Sequence, residues 1–337
     1  MSKLIPEIDF EQLSALMLEP NWADVNPSSH IALAVNLPGN SVTEAEALDI
    51  RNWIFRQPVP VIGIAEDGCT PGLKNSLDIV VSNDEEKTFL LEKIALNPQA
   101  SSVLVQVSRS TQALSIPQAL ALESLAYSTL QGGEEFARWL QDYRSNRGDK
   151  SPVQISEPAV LVQRRDSQLE IILNTPENRN ALSVPMRDAL TDAFKLVSMD
   201  PSIEQVHVSG NGPCFSAGGD LSEFGATTDQ ALAHQIRLLR MPAQYLAPEA
   251  SRYTFHLHGA CIGAGIEMPA FAGRLVASSD TFFHLPEVGM GLVPGAGGCV
   301  SIPRRIGRQR MNFLAITGQR LSAEEALEWG LVDEIAK

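Results

Sequence analysis

The stretch 259–298, GACIGAGIEMPAFAGRLVASSDTFFHLPEVGMGLVPGAGG, decides how the rest of the chain is read. It holds two glutamates, Glu267 and Glu287, twenty positions apart. The first follows a turn of small residues that should open a helix. The second lies beyond an apolar strand, in a loop punctuated by proline and glycine. Carboxylates beside exposed backbone N–H groups suit acid/base chemistry on a carbonyl compound. Pro269 falls inside the expected helix and removes one backbone donor, so that helix should be short or kinked.

Outward from this stretch, the second half alternates strands and helices. Strands are expected near 160–162 and at 169–173, 206–209, 253–257 and 275–278. Ser183 caps a helix with Pro185 in its first turn and Met186, Leu190, Ala193, Phe194 and Val197 on its buried face. A Leu/Arg-rich helix covers about 229–240, and Ser322-Ala-Glu-Glu325 is a capping box whose helix closes at Gly330 before a strand at 331–332.

In the first half, 4–20 reads as a short helix or an extended arm. Strands are expected at 31–35, 59–65 and 77–82, with a helix opened by Ser41-Val-Thr-Glu44 between the first two. These continuous apolar runs suit buried parallel strands in a βαβ arrangement. A helix from Pro117 has Leu122, Leu125, Ala126 and Thr129 on one face and stops at Gly132-Gly133; Phe136, Trp139, Leu140 and Tyr143 form the next stripe. Residues 144–157 (RSNRGDKSPVQISE) are the linker candidate, dividing the chain into 1–150 and 151–337. The class is α/β.

A chain of 337 residues with 44% hydrophobic content can fill a sizeable core, in one large or two unequal domains. A formal charge of −14 disfavours nucleic acid and anionic membrane surfaces, though a local basic patch could still hold an anionic small ligand. Cys69, Cys214, Cys261 and Cys299 are widely spread, as reduced thiols in a cytoplasmic setting would be. The N-terminus lacks a signal-peptide layout, and no apolar run approaches the ~20 residues of a membrane span. His256, His258 and His284 have no carboxylate or cysteine at ligand spacing, so no metal site is expected.

Four segments in order, PENRNAL at 176–182, FSAGGDL at 215–221, HGACIGAGIE at 258–267 and LPEVGMGLVPGAGG at 285–298, resemble the enoyl-CoA hydratase/isomerase or crotonase superfamily. The ending LSAEEALEWGLVDE at 321–334 resembles it as well. The resemblance implies a spiral of ββα turns that binds acyl-CoA thioesters. It places the two N–H groups that hold the thioester oxygen on Gly219 and Ala264, the latter an alanine where the family carries glycine; the N–H survives that change. It puts Arg179, Leu182, Ala217, Asp220 and Leu221 where the substrate passes. Arg179 stands either beside the phosphates of coenzyme A or in an exposed turn. Members that hydrate enoyl thioesters carry both glutamates, whereas isomerases often keep only the later one. The implied reaction is hydration of a 2-enoyl-CoA, with Glu267 on the water and Glu287 on the α-carbon proton. No metal or redox cofactor is implied, coenzyme A being part of the substrate. Isomerisation, thioester hydrolysis and a non-catalytic acyl-CoA-binding role stay open.

Family members continue into C-terminal helices that cover the acyl pocket and pack trimers, so a homo-oligomer is expected. Similar text stands in the first half instead, LLEKIALNP at 90–98 and LALESLAYSTLQGGEEFARWL at 120–140. Before it, VIGIAEDGCTPG at 61–72 faintly echoes 255–265, and aligning Cys69 with Cys261 puts Asn75 where Glu267 stands. Residues 1–150 are therefore either a degenerate copy that supplies lid helices or an unrelated α/β domain.

Overall fold

Apolar β-branched runs bury both faces of a parallel sheet, and the first half builds such a sheet. The structure, a computed structural model, describes residues 5–18, 29–39, 42–65, 69–147 and 157–336. The chain runs β1 (Glu7–Ile8), α1 (Phe10–Leu18), β2 (Leu33–Leu37), α2 (Glu44–Phe55), β3 (Val61–Ala65), α3 (Pro71–Ser76) and β4 (Ile79–Val81). The strands pair side by side in sequence order, all parallel. Four helices follow: α4 (Asp84–Leu96), α5 (Pro98–Thr111), α6 (Ile116–Gln131) and α7 (Glu134–Arg147). Helix α7 therefore runs into the expected linker, of which 148–156 lie outside the described residues.

The second half runs β5 (Val160–Arg165), β6 (Gln168–Leu173), α8 (Val184–Met199), β7 (Gln205–Gly210), α9 (Gln230–Leu239), α10 (Ala243–Leu246), β8 (Tyr253–Leu257), β9 (Ala260–Ile262) and α11 (Ala264–Glu267). It ends with β10 (Arg274–Ala277), β11 (Phe282–His284), α12 (Gly298–Ile306), α13 (Arg308–Thr317), β12 (Leu321–Ser322), α14 (Ala323–Trp329) and β13 (Glu334–Ile335). A six-stranded sheet has the order β13-β10-β8-β7-β6-β5, parallel except for the β5–β6 hairpin. A three-stranded sheet has the order β12-β11-β9. Consecutive strands go to different sheets, β8 and β10 to the larger, β9 and β11 to the smaller, before the chain enters a helix. This is the ββα spiral.

One hydrophobic core runs through both halves. Ile62 and Ile79 of the first sheet, Leu104 and Leu120 of the helices, and Phe271 and Val300 near the spiral's last turns share it. A smaller cluster under α2 holds Leu33, Trp53 and Ile54. The halves are also tied by charge. Asp78, fully buried, takes Arg109 Nε (2.8 Å) and Nη2 (2.5 Å) from α5 and Arg308 Nη1 (2.7 Å) from α13.

Three local expectations are corrected. Helix α2 is capped by Thr43, which exchanges bonds with Glu46 as a capping box; Ser41 lies outside the described residues. The face of α6 turned inward carries Leu120, Glu123, Ser124 and Ser128, whereas Leu125 is 52% exposed and Thr129 is exposed. The reason is what α6 packs on: a helix N-terminus and an arginine, which draw polar side chains inward. Third, Leu331 and Val332 are buried but not in a strand. Gly330 adopts a left-handed cap and the N–H groups of both residues donate back to Ala326 O, so pairing with β10 begins only at Glu334. The capped helix of Ser183 and its five buried residues stand as expected.

Candidate active site

Glycine and proline dictate how Glu267 is presented. Strand β9 ends at Gly263, whose φ of 49° and ψ of −121° suit glycine alone. A Cβ there would collide with Glu287 Oε1 and stand 3.7 Å from Glu267 Oε1, so both carboxylates converge on one backbone position. The chain turns into α11, which lasts only from Ala264 to Glu267 before Pro269 ends it, and continues as a 3-10 turn over Pro269–Phe271. Gly263→Ala is expected to leave the fold intact and to reduce activity sharply. The strained φ alone costs roughly 1–3 kcal/mol, and the added methyl drives Glu287 from its position; circular dichroism alongside an activity assay separates the two effects.

Glu267 is 2% exposed. Its Oε2 accepts the N–H groups of Ala296 (2.7 Å) and Gly298 (3.0 Å) at the start of α12, and its carbonyl accepts Ser301 Oγ (2.7 Å). Oε1 accepts nothing among the described residues. Glu287 follows Leu285-Pro286 and is held by its own carbonyl, which accepts Met290 and Leu292 N–H, both at 2.9 Å. Its Oε2 is buried without a hydrogen-bond partner among the described residues.

Both carboxylates line a cavity of about 440 Å³ that Gly219 and Ala264 also line. Leu182 and Gly219 pair as a parallel bridge: Leu182 N–H donates to Gly218 O (2.7 Å) and Asp220 N–H to Leu182 O (3.4 Å). The N–H of Gly219 between them, and that of Ala264 at the first position of α11, donate to no group among the described residues. The far wall comes from Tyr127 and Gln131 of α6 and Ile236 and Arg237 of α9. Arg237 lies over the Tyr127 ring (4.4 Å) and donates to Ser124 Oγ (2.9 Å), Ser128 Oγ (3.1 Å) and Gln131 Oε1 (3.0 Å).

Burial disfavours a charged carboxylate, and a like charge adds to the effect. Burial raises the pKa of Glu267 to about 7, against the lowering pull of the Ala296 and Gly298 N–H groups. Burial first, then the charge of Glu267, pushes Glu287 well above the carboxylate range. The two titrate as a pair in which Glu287 holds its proton more tightly.

Of the expected substrate contacts, Leu182 reaches the cavity wall; Arg179, Ala217, Asp220 and Leu221 do not. Arg179 has φ 59°, which turns its side chain to solvent while its carbonyl accepts Ala217 N–H (2.9 Å). Asp220 caps a short turn through Ser222 N–H (2.9 Å). In this motif the buried side chain is Asn180, whose Nδ2 donates to Asn211 O (2.8 Å) and Cys214 O (3.1 Å). His256 of β8 meets His207 (3.1 Å), and His258, just beyond the end of β8, meets Gly212 O (3.0 Å). No cluster of three or more potential metal ligands occurs among the described residues.

A buried glutamate that the apolar pattern hides completes the surroundings. Glu123 of α6 accepts Gly297 N–H (2.7 Å) and Cys299 N–H (2.8 Å). The available signal was its place three residues after Leu120 and one before Ser124, on the face opposite Leu125.

The spiral brings the two glutamates together on one cavity. A family model described as enoyl-CoA hydratase/isomerase matches residues 163–337, and the chain belongs to that family. It is similar to a 2,3-dehydroadipyl-CoA hydratase of Escherichia coli, 29% identical over 52% of this chain and 68% of the relative. A trans-2-decenoyl-[acyl-carrier-protein] isomerase of Streptococcus mutans is 32% identical over 50% and 65%. The chain thus spans about two thirds of the length of these relatives. A solved enoyl-CoA hydratase of Mycobacterium smegmatis is 28% identical with a TM-score of 0.50, covering 53% of this chain and 70% of that one. No helix among the described residues is long and apolar enough to cross a membrane.

Proposed function

We propose that the protein hydrates a 2-enoyl-CoA thioester to a 3-hydroxyacyl-CoA. The observation that carries this reading is the pair of buried carboxylates converging on Gly263 beside two backbone N–H groups that donate to nothing among the described residues. Glu267 Oε1 takes a proton from water as the water oxygen bonds to the β-carbon. The electron pair moves to the thioester oxygen, where Gly219 and Ala264 N–H hold it, and Glu287 then gives its proton to the α-carbon. Clamping Oε2 of Glu267 leaves a single oxygen to orient the water. Glu287, buried and without a hydrogen-bond partner, suits the proton donor. Double-bond isomerisation, the activity named for one relative, needs proton transfer between carbons and no oriented water; the clamp on Glu267 favours hydration. The substrate would be an acyl-CoA, with coenzyme A as its only cofactor-like part.

Catalysis in this direction needs Glu267 ionised and Glu287 protonated. A raised carboxyl pKa means the base is lost as pH falls through the raised value. The profile of kcat/KM is expected to be bell-shaped, its acid limb at about pH 7 from Glu267 and its alkaline limb higher, from Glu287. Stopped-flow absorbance of the conjugated thioester from pH 5 to 10 checks this (a range set by the assay, roughly that of carboxyl pairs). An acid limb at an ordinary carboxylate value would sink the assignment of the base.

In this reading, residues 151–337 are the catalytic core. Residues 1–150 are a degenerate unit whose helices roof the site, an idea supported by the parallel first sheet and by Tyr127 and Gln131 on the cavity wall. Exposed Leu232, Ile236 and Leu239 on α9 support packing against a second copy, and four free buried cysteines suit a cytoplasmic protein.

A further inference from the structure

Four consecutive N–H groups at the start of α12 are shared alternately between two carboxylates. Ala296 and Gly298 donate to Glu267 Oε2, at 2.7 and 3.0 Å. Gly297 donates to Glu123 Oε1 at 2.7 Å and Cys299 to Glu123 Oε2 at 2.8 Å. Glu123 is fully buried and absent from the cavity wall, and it comes from the half of the chain that the family model does not match. Neither carboxylate can shift without moving the turn that holds the other.

We propose that Glu123 is a positioning residue for Glu267: it pins the 297–299 turn, so that the alternate N–H groups lock Glu267 Oε2 and leave Oε1 at the cavity. It also consumes half of the donors of a helix N-terminus that would otherwise favour the ionised form of Glu267 and weaken it as a base. The charged and titratable groups facing this cluster are Arg237 from α9, Tyr127 from α6, Cys299 from α12 and Glu287. Burial raises the Tyr127 and Cys299 groups above their ordinary values, so both are neutral at working pH. Arg237 is the cation that faces Glu123. The kinetic part of the inference rests on the hydratase reading; the positioning itself does not.

Glu123→Gln and Glu123→Asp test it in the full chain. Glutamine offers one oxygen to two N–H groups and turns an amide against the other, and aspartate is too short to reach both. Both variants are expected to lower kcat about tenfold or more with KM changed less than about twofold, a split that marks lost positioning in the transition state. In Glu123→Gln the acid limb of kcat/KM should move to lower pH by at least about half a unit, since more of the helix dipole acts on Glu267 once the side chain at 123 no longer engages both N–H groups. A titration of ¹³C-labelled glutamate carboxyls by NMR, with Glu267 assigned through Glu267→Gln, reads the same shift without turnover. If the wild type converts no enoyl-CoA, the hydratase reading fails and this titration still decides the positioning. A stable Glu123→Gln protein with unchanged pH limb and unchanged Glu267 titration would show a plain helix cap and overturn the proposal. Should Glu123→Gln not fold, Arg237→Gln keeps Glu123 and removes its facing cation. It should move the Glu267 titration to higher pH, and no movement overturns the proposal equally.

Discussion

Glu287→Gln is expected to lower kcat/KM on crotonyl-CoA by roughly 10²- to 10⁴-fold, the range for losing a positioned acid or base, with binding of a saturated acyl-CoA unchanged. Glutamine is nearly isosteric and the buried Oε2 has no hydrogen bond to lose, so the fold does not depend on this carboxyl. Stability should even improve at alkaline pH. A carboxyl whose folded-state pKa is raised contributes fully below its unfolded value and loses that contribution as pH rises through the folded one, so above that point the wild type carries an unfavourable buried charge. Glu267→Gln should lose a similar factor, because an amide oxygen can still accept Ala296 and Gly298 N–H while the group that takes the proton is gone. Calorimetric binding beside the absorbance assay separates these outcomes. A variant that keeps more than a tenth of wild-type kcat/KM removes its glutamate from the chemistry.

Asp78→Ala is expected to destabilise the protein by about 3–5 kcal/mol, the usual cost of leaving a buried charge unpaired. Here two guanidinium groups lose their carboxylate at once, Arg109 at 8% and Arg308 at 7% exposure. Asp78 also accepts Val61 N–H (2.8 Å), so the edge of β3 loses a partner as well. Against a total of roughly 5–15 kcal/mol for a folded domain, this is a large share. Urea denaturation should show a midpoint well below that of the wild type. Because Arg109 and Arg308 link the first sheet to α13, activity should fall with stability even though no altered atom reaches the cavity. A midpoint shift under about 1 kcal/mol would mean that the arginines find water or other carbonyls on losing Asp78.

The catalytic stretch was legible because its physics is local. Gly263, Pro269 and the Pro-Glu-Val-Gly loop restrict the backbone within a few residues, and the structure puts Glu267 and Glu287 where those restrictions lead. The same holds for Ser183, whose cap and buried stripe lie within one helix. Glu123 was not legible, because a partner more than 170 positions away gives it meaning. An apolar face drawn through Leu122, Leu125 and Thr129 assumes an apolar neighbour, whereas α6 meets the donors of a helix start and Arg237. Arg179 is exposed, which both of its expected places allow. Its motif is present, but the left-handed backbone at Arg179 and Asn180 gives the inward place to the asparagine.

Tyr127 and Gln131 belong to α6, which the shared core joins to the first sheet, and they also form one wall of the cavity. Any molecule that fills the cavity therefore touches both halves of the chain and binds only where they are assembled. Mass action makes such a ligand a glue: at a hundred times its Kd it adds about 2.7 kcal/mol to the assembled state. The coupling is reciprocal. Whatever loosens the first half, far from either glutamate, weakens binding by the same free energy that bound ligand lends to the join.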